Sequence, residues 1–527
     1  MLILKLTPKT FILKKLLLVT VFLLGYTQAF LAQDLNVDIK TSEVYKDKKK
    51  NTTLSFTASD GKGGLFVGRS YYGGLLKTLK GYYIEHYDSN LNLVKEFDYE
   101  IDRETVQQAF VNNGELHLLT TQYDRDSREI KCLVQSTSVN NFKFSSKELM
   151  SLNIKESSGR FVGFYGIGLQ QVDGDSFGSI SLSKNNNYIV VNFDIKNKDE
   201  ETHKIHVFNK NFEEVFTNTF KRDIKDRKFA LKDISVDDNN GTVYLLGKAY
   251  TDQKRKKKEG GKYQYELYRI NAKSSKSLSF DTDDKFVRSL TPVFDNDRVF
   301  CVGFYSEKND NRFKGVGYFN IDPETLTITS KKFSPFTDQF IMDKYGKSKD
   351  KELRNISYRD ILITSEGECL INGEEFYVTS HYVSNQYGGT WRYTYHYRDI
   401  VSLKLGKEGN LIWARNINKK QASSAPSDYL SFTSTYHNDK AYIFINCSDK
   451  VRKLRNDRLE FKGIKAKKSN LYVITIDSEG TYDYKSLIDD KDAEVPFRVG
   501  NGIYDFSNEI IFLGQRGKKK QLLKLTL

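Results

Sequence analysis

The chain is 527 residues long, 39% of them hydrophobic, and carries a net charge of +14. That apolar share is enough for a large core, and the cationic surplus favours polyanionic partners or surfaces. Four widely spaced cysteines, with no CxxC and no histidine nearby at metal spacing, argue against a zinc module and favour free thiols over a disulfide framework, although an exported protein could oxidise them.

At the N-terminus, Lys5, Lys9, Lys14 and Lys15 precede the apolar run LLLVTVFLLGYTQAFLA, which stops at Gln33 before the polar DLNVDIK. This layout predicts a secretory signal peptide over residues 1–33 and one β-domain over 34–527. The run is interrupted by Gly25, Thr27 and Gln28 and is short of the roughly 20 apolar residues of a bilayer span, which makes a retained anchor the lesser alternative. No cysteine follows it to carry a lipid, and no later segment approaches a transmembrane helix. Without the four signal lysines the mature charge is +10.

After an isolated strand-like segment, LNVDIKTSEVY, one pattern returns along the chain. A turn rich in Asp, Asn and Gly leads each time into a β-branched or aromatic strand: SDGKGGLFVGR, NNGELHLLTT, SKNNNYIVVNF, DDNNGTVYLLGK, FDNDRVFCVGF, TSEGECLINGE, YHNDKAYIFIN and FSNEIIFLGQ. Another apolar alternation precedes each turn, and such turns between two period-two runs predict hairpins. A second hairpin follows in most copies, as in YYIEHYDSNLNLVKEF and LYVITIDSEGTYDYKS. Each unit is thus four antiparallel strands, A to D. The eighth unit ends at KKKQLLKLTL after its third strand, and LNVDIKTSEVY is the spare strand that can complete it.

In this repeat, along the whole mature length, the chain resembles the β-propeller superfamily. The resemblance implies a single all-β eight-bladed propeller of four-stranded antiparallel sheets, closed by its own N-terminal strand, with seven blades as the alternative count. It does not extend to the WD40, kelch or quinoprotein types. There is no GH…WD repeat, no regular Gly-Gly pair, no vicinal cysteine pair, and only Trp391 and Trp413. Two stacked sandwiches would explain strands and turns but not eight copies with a missing last strand and a spare first one. The cysteines Cys132, Cys301, Cys369 and Cys447 fall in or beside apolar strands of different units, so buried free thiols are expected.

Chemistry-bearing motifs are sparse. There is no P-loop, GxSxG or HExxH, and neither cofactor nor metal is expected. The DGDSFG stretch at 173–178 lacks the later glutamate of a calcium loop, and the DTDD carboxylates at 281–284 suit a surface turn. Asp233, Asp360 and Tyr429 lie in or near first strands and could face a central channel.

Strands of a blade alternate in direction, so all second-to-third connections should emerge on one face of a ring. Those eight stretches carry +18 in total, leaving −8 for the rest of the mature chain. Lys254, Arg255, Lys256, Lys257, Lys258, Lys450, Arg452, Lys453, Lys467, Lys468, Lys518, Lys519 and Lys520 are the candidate binding cations. In HYVSNQYGGTWRYTYHYRDI, alternation places Trp391, Tyr393, Tyr395 and Tyr397 on one side of a strand, opposite Arg392, His396 and Arg398. Those rings either pack on a neighbouring blade or overhang the face for stacking, and Tyr71, Tyr72, Tyr82 and Tyr83 pose the same choice.

These features suggest an exported, non-catalytic binding or scaffold protein of the periplasm, outer membrane or cell exterior. Its partner would be an anionic polysaccharide, lipopolysaccharide or an acidic envelope protein. A glycan-acting hydrolase or lyase with its site in the channel is the alternative, and export argues against nucleic acid. The Lys-, Asn- and Tyr-rich, Pro-poor composition resembles that of secreted proteins of the Bacteroidota.

Overall fold

The computed structural model describes residues 37–49, 52–74, 78–101, 104–157, 178–250, 263–283, 285–307, 312–347, 353–385, 388–456, 458–463, 465, 468–504 and 508–527. The signal segment, the 173–177 part of DGDSFG, Asp284, Lys254 to Lys258 and Lys467 lie outside these residues.

The described strands form eight sheets, seven of them with antiparallel strands in the chain order A-B-C-D; in the fifth the first strand is split in two, and in the seventh a small hairpin separates the second strand from the third. The first runs Thr52–Ser59, Leu65–Gly73, Thr78–Tyr87 and Leu93–Glu100, and the fourth runs Phe229–Val236, Val243–Tyr250, Tyr263–Ile270 and Ser275–Ser279. The eighth takes its outer strand from the N-terminus. Asp38–Thr41 and Tyr45–Lys46 lie beside the last strand, Lys519–Thr526, and Tyr45 pairs with Lys520. The Ser42 amide donates to the Leu522 carbonyl at 2.9 Å and the Asp47 amide to that of Lys518 at 3.0 Å, sealing the join.

The order of the core shows how the sheets are arranged. Buried apolar side chains cluster between the first and second sheets, the second and third, and onward to the sixth and seventh. Phe444 and Phe512 meet at 5.7 Å between the seventh and eighth. Leu65, Val67 and Tyr87 then pack on Ile511, Leu513 and Leu522, joining the eighth sheet to the first. The result is a closed, propeller-like ring of eight blades. Within the second strands, neighbouring residues face opposite sheets: Val243 and Leu245 point to the third blade's side, Tyr244 and Leu246 to the fifth's. Burial on both faces makes these strands near-continuous apolar runs, as in VYLLG.

Two local devices make the repeats fold this way. At the A-to-B and C-to-D turns an aspartate takes up amides that would otherwise be orphaned. Asp60 Oδ1 accepts from the amides of Lys62 and Gly64, both at 2.8 Å, and Asp477 Oδ1 from those of Glu479 and Thr481 at 3.0 and 2.8 Å. In the second strand a glycine admits an inner-strand ring. A Cβ at Gly68 would stand 2.1 Å from the Phe56 ring, and one at Gly247 1.9 Å from that of Phe229. All four cysteines are buried free thiols. Burial pushes Cys132, Cys369 and Cys447 up to about 12, which suits packing rather than reactivity.

Two elements interrupt the repeat. Between the fifth and sixth sheets stands helix α1, Asp338–Tyr345, capped by the Thr337 side chain, which accepts from the Phe340 amide, and closed by Gly346 at φ 68°. In the seventh sheet the second-to-third connection folds into a small hairpin, Arg452–Lys453 with Leu459–Lys462. Its second strand runs parallel to the end of the sixth sheet's outer strand, with Asn418 opposite Glu460.

Candidate functional site

With every sheet ordered A to D around the ring, the second-to-third connections and the links between sheets emerge at the same end. Contacts there bear this out locally. Arg458 of the seventh sheet's hairpin donates to the Lys344 carbonyl at the end of α1 at 2.8 Å, and Tyr429 donates its hydroxyl to the Gln515 carbonyl at 3.0 Å. This end has a charged interior and an aromatic projection.

The sixth sheet and the link to the seventh share a largely buried polar network. Glu374 and Lys419 are both fully buried and ion-paired. Arg359 reaches the same carboxylate at 2.7 Å, Ser431 Oγ donates to it at 2.8 Å, and Lys419 Nζ also donates to Gln421 at 3.1 Å. Alongside, Asp343 on α1 receives Arg415 through two hydrogen bonds at 2.6 and 3.2 Å. Lys344 sits between Asp399 at 2.8 Å and Glu375 at 2.9 Å. Burial works against the Lys344 charge, yet the two carboxylates raise its pKa overall. The Asp343 and Lys344 bonds hold α1 onto the ring, and Arg458 ties the hairpin to α1.

A second network closes the ring and corrects one expectation. Lys520 is only 3% exposed and is held by Asp47 at 3.2 Å and by Glu85, which also takes Arg69. It therefore belongs to the interior seam between the first and last sheets, not to an exposed basic face. Of its neighbours, Lys519 is exposed and pairs with Glu494 at 2.8 Å. Lys518 is exposed, as are Lys450, Arg452, Lys453 and Lys468, with Arg452 3.6 Å from Glu460.

The sixth sheet departs furthest from its siblings. Its middle strands, Cys369–Asn385 and Gly388–Leu405, are 17 and 18 residues long, and their pairing continues to Asn385 opposite Gly388. Pairing with the inner strand stops at Glu375 and with the outer strand at Tyr395, so the rest projects as a two-stranded ribbon. Cross-strand register sets Phe376 opposite Tyr397, Val378 opposite Tyr395, Ser380 opposite Tyr393 and Tyr382 opposite Trp391, all on one side. At the base the rings pack inward, with Tyr397 5% exposed against Phe376 at 5.1 Å. Further out Val378, Tyr382, Trp391 and Tyr393 are 45, 56, 57 and 49% exposed. Packing thus describes Tyr397 and overhang describes Trp391 and Tyr393. Arg392 is exposed, paired in register with His381 on the other side. In the first sheet, by contrast, Tyr82 and Tyr83 are buried, and only Tyr72 is open.

Of the channel candidates, Asp233 accepts from Ser235 Oγ at 2.6 Å and Asp360 from Ser434 Oγ at 2.6 Å. Burial raises both carboxyls above the ordinary range. They stand on the fourth and sixth sheets, with the fifth between them. Sequence reasoning missed Lys248. Its Nζ lies 4.0 and 4.8 Å over the rings of Tyr263 and Tyr265 and donates to the Arg288 carbonyl, and burial lowers its pKa to about 7. Among the described residues no group of His, Cys, Asp and Glu is placed to hold a metal ion.

No protein-family model matches the chain, and no curated protein does. Among solved structures it is similar to the polysaccharide lyase Uly1 at 10% identity, covering 92% of this chain and 99% of that one, with a TM-score of 0.38. It is also similar to the acylaminoacyl peptidase of Pyrococcus horikoshii at 10% identity and TM-score 0.34, covering 79% of this chain and 52% of that one. A third likeness is to prolyl oligopeptidase B of Galerina marginata at 7% identity and TM-score 0.35, covering 88% and 56%. The chain spans about half the length of these two peptidases. The architecture rests on the sheet order and core described above, and none of these likenesses carries a function across.

Proposed function

We propose that this is an exported, non-catalytic binding protein that docks an anionic polymer on the end of the ring where the second-to-third connections emerge. The supporting observation is the common strand order of the sheets, since the eight connections carry +18 in a mature chain of +10, or +16 without the buried Arg69 and Lys520. Clustered cations of this kind raise the local concentration of a polyanion through a field that salt screens over about 10 Å at 0.1 M. The partners that suit an exported chain are an acidic polysaccharide, lipopolysaccharide or an acidic envelope protein. Lys254 to Lys258 and the 448–469 hairpin are the strongest contributors. Retention on a heparin column tests this: the chain should elute only at raised salt, and earlier when residues 254 to 258 are all alanine. Elution at very low salt, unchanged in that variant, overturns the reading.

One observation favours a second reading, glycan cleavage in the channel. Asp360 is a half-buried acid whose raised pKa suits proton donation, and the Tyr504 hydroxyl donates to the carbonyl of Ser434, the residue that holds it. Asp360→Asn should then abolish depolymerisation of any glycan the wild type degrades.

A further inference from the structure

We infer that the sixth-sheet ribbon is a stacking platform for the sugar rings of an acidic polysaccharide. The inference rests on the polyanion-binding reading above and narrows the polymer to one that presents pyranose faces. Four of the ten large hydrophobic residues that stand exposed among the described residues, Val378, Tyr382, Trp391 and Tyr393, share one side of this ribbon. Exposed apolar residues scattered singly need no explanation, but a contiguous group on a projecting element marks an interaction site.

The geometry is that of a preformed aromatic cluster. Trp391 and Tyr393 are two residues apart on one strand, which sets their rings about 7 Å apart along it. Tyr382, opposite Trp391, meets it edge-on, with ring centroids at 5.4 Å and an interplanar angle of 62°. The Tyr382 ring is seated by Gly389, where a Cβ would stand 2.0 Å from the Tyr382 hydroxyl. A ring lying on glycine backbone is fixed before any ligand arrives, which removes part of the ordering cost of binding.

Charge selects the polymer. Residues 376–398 contain Arg392, Arg398, His381 and His396 but no Asp or Glu. The ring side of the ribbon therefore has no carboxylate to repel an acidic sugar, and the arginines on its opposite side add positive charge at longer range. The rings also keep polar atoms, two phenol hydroxyls and an indole N–H, which can reach sugar hydroxyls while the ring body covers C–H groups. A bilayer wedge would need an apolar tip, whereas the described residues at the end of the ribbon are Ser384, Asn385, Gly388 and Gly389. A uronic-acid or sulfated polysaccharide fits both features.

The experiment compares two polyanions that each carry one negative charge per repeat unit, polygalacturonate with pyranose rings and polyphosphate without, by titration against wild type and the Trp391→Ala/Tyr393→Ala variant. The expected result is a loss of at least tenfold in affinity for polygalacturonate, with polyphosphate affinity within twofold of wild type. Trp391→Phe, which keeps a ring, should restore most of the loss. An alanine set at residues 254 to 258 should weaken both polymers. If the double variant binds polygalacturonate as wild type does, the platform is wrong while polyanion binding stands. If wild type retains neither polymer, both readings fall. A double variant that loses binding to phosphatidylglycerol vesicles while keeping polygalacturonate would assign the ribbon to membranes and overturn the proposal.

Discussion

Two positions on one strand of the sixth sheet invert the usual arrangement of a soluble protein. Glu374 is fully buried, and eight residues further along Tyr382 stands 56% exposed. The difference lies in what covers each part of the strand. Around Glu374 the neighbouring inner and outer strands, α1 and Lys419 provide both a lid and partners for charge. Beyond Glu375 the inner strand ends, and among the described residues the ribbon continues with no other strand beside it on that side. Residue type therefore does not decide burial here. A charge is tolerated inside because it is fully partnered, and rings stay outside because the fold supplies nothing to cover them.

The largest effect should come from breaking the inner half. Glu374→Ala leaves Lys419 without its carboxylate, and loss of one partner of a buried pair costs about 3–5 kcal/mol. Urea unfolding should report it, and Glu374→Met/Lys419→Met should recover most of the loss. A double variant as unstable as the single one would mean that the site needs charge rather than volume.

Lys248 sharpens the comparison, because it is a buried cation resting on a carbonyl and two rings. Burial depresses its folded-state pKa to about 7, below its ordinary value near 10.4. Between those two values the unfolded chain binds the extra proton, so stability rises with pH across that window, by at most about 1.4 kcal/mol per unit. Below pH 7 the penalty is fully present. Lys248→Met should raise the melting temperature at pH 6–7 and flatten the rise towards pH 10. An unchanged slope would show that the ammonium reaches water.

A smaller cost is expected where the repeat admits a ring. Gly247→Ala forces Phe229 to move, an overpacking cost of about 1–3 kcal/mol, and Gly247→Ala/Phe229→Leu should ease it. Smallest of all is the outer half. Trp391→Ala should change unfolding by under about 0.5 kcal/mol, as exposed positions do, while altering glycan binding. A large loss of stability would place the ring in the core.

The ring itself was legible because its signals are local and repeated. Asp and Gly turns, period-two strands, the absent last strand and the spare segment before Tyr45 all lie in short stretches of chain. The cation assignment was less legible, because partners of charge are distant in sequence. Lys520 is neutralised by a residue 435 positions away, and Arg415 by one 72 positions away. Nothing in GQRGKKKQ distinguishes the buried lysine from its exposed neighbours except its alternate position in the strand. The 448–469 stretch was readable as a charged loop but not as a hairpin, because its pairing partner is the neighbouring sheet. Helix α1 is eight residues long and weakly patterned, so its place is set by Asp343 and Phe340 rather than by periodicity.

The central claim, that one end of the ring is the binding end, is tested most directly by hydrogen–deuterium exchange with and without bound polygalacturonate. Protection should concentrate in 376–397 and 448–469. Protection at the opposite turns, 60–64, 237–241 and 477–481, with those two segments unchanged, would contradict it.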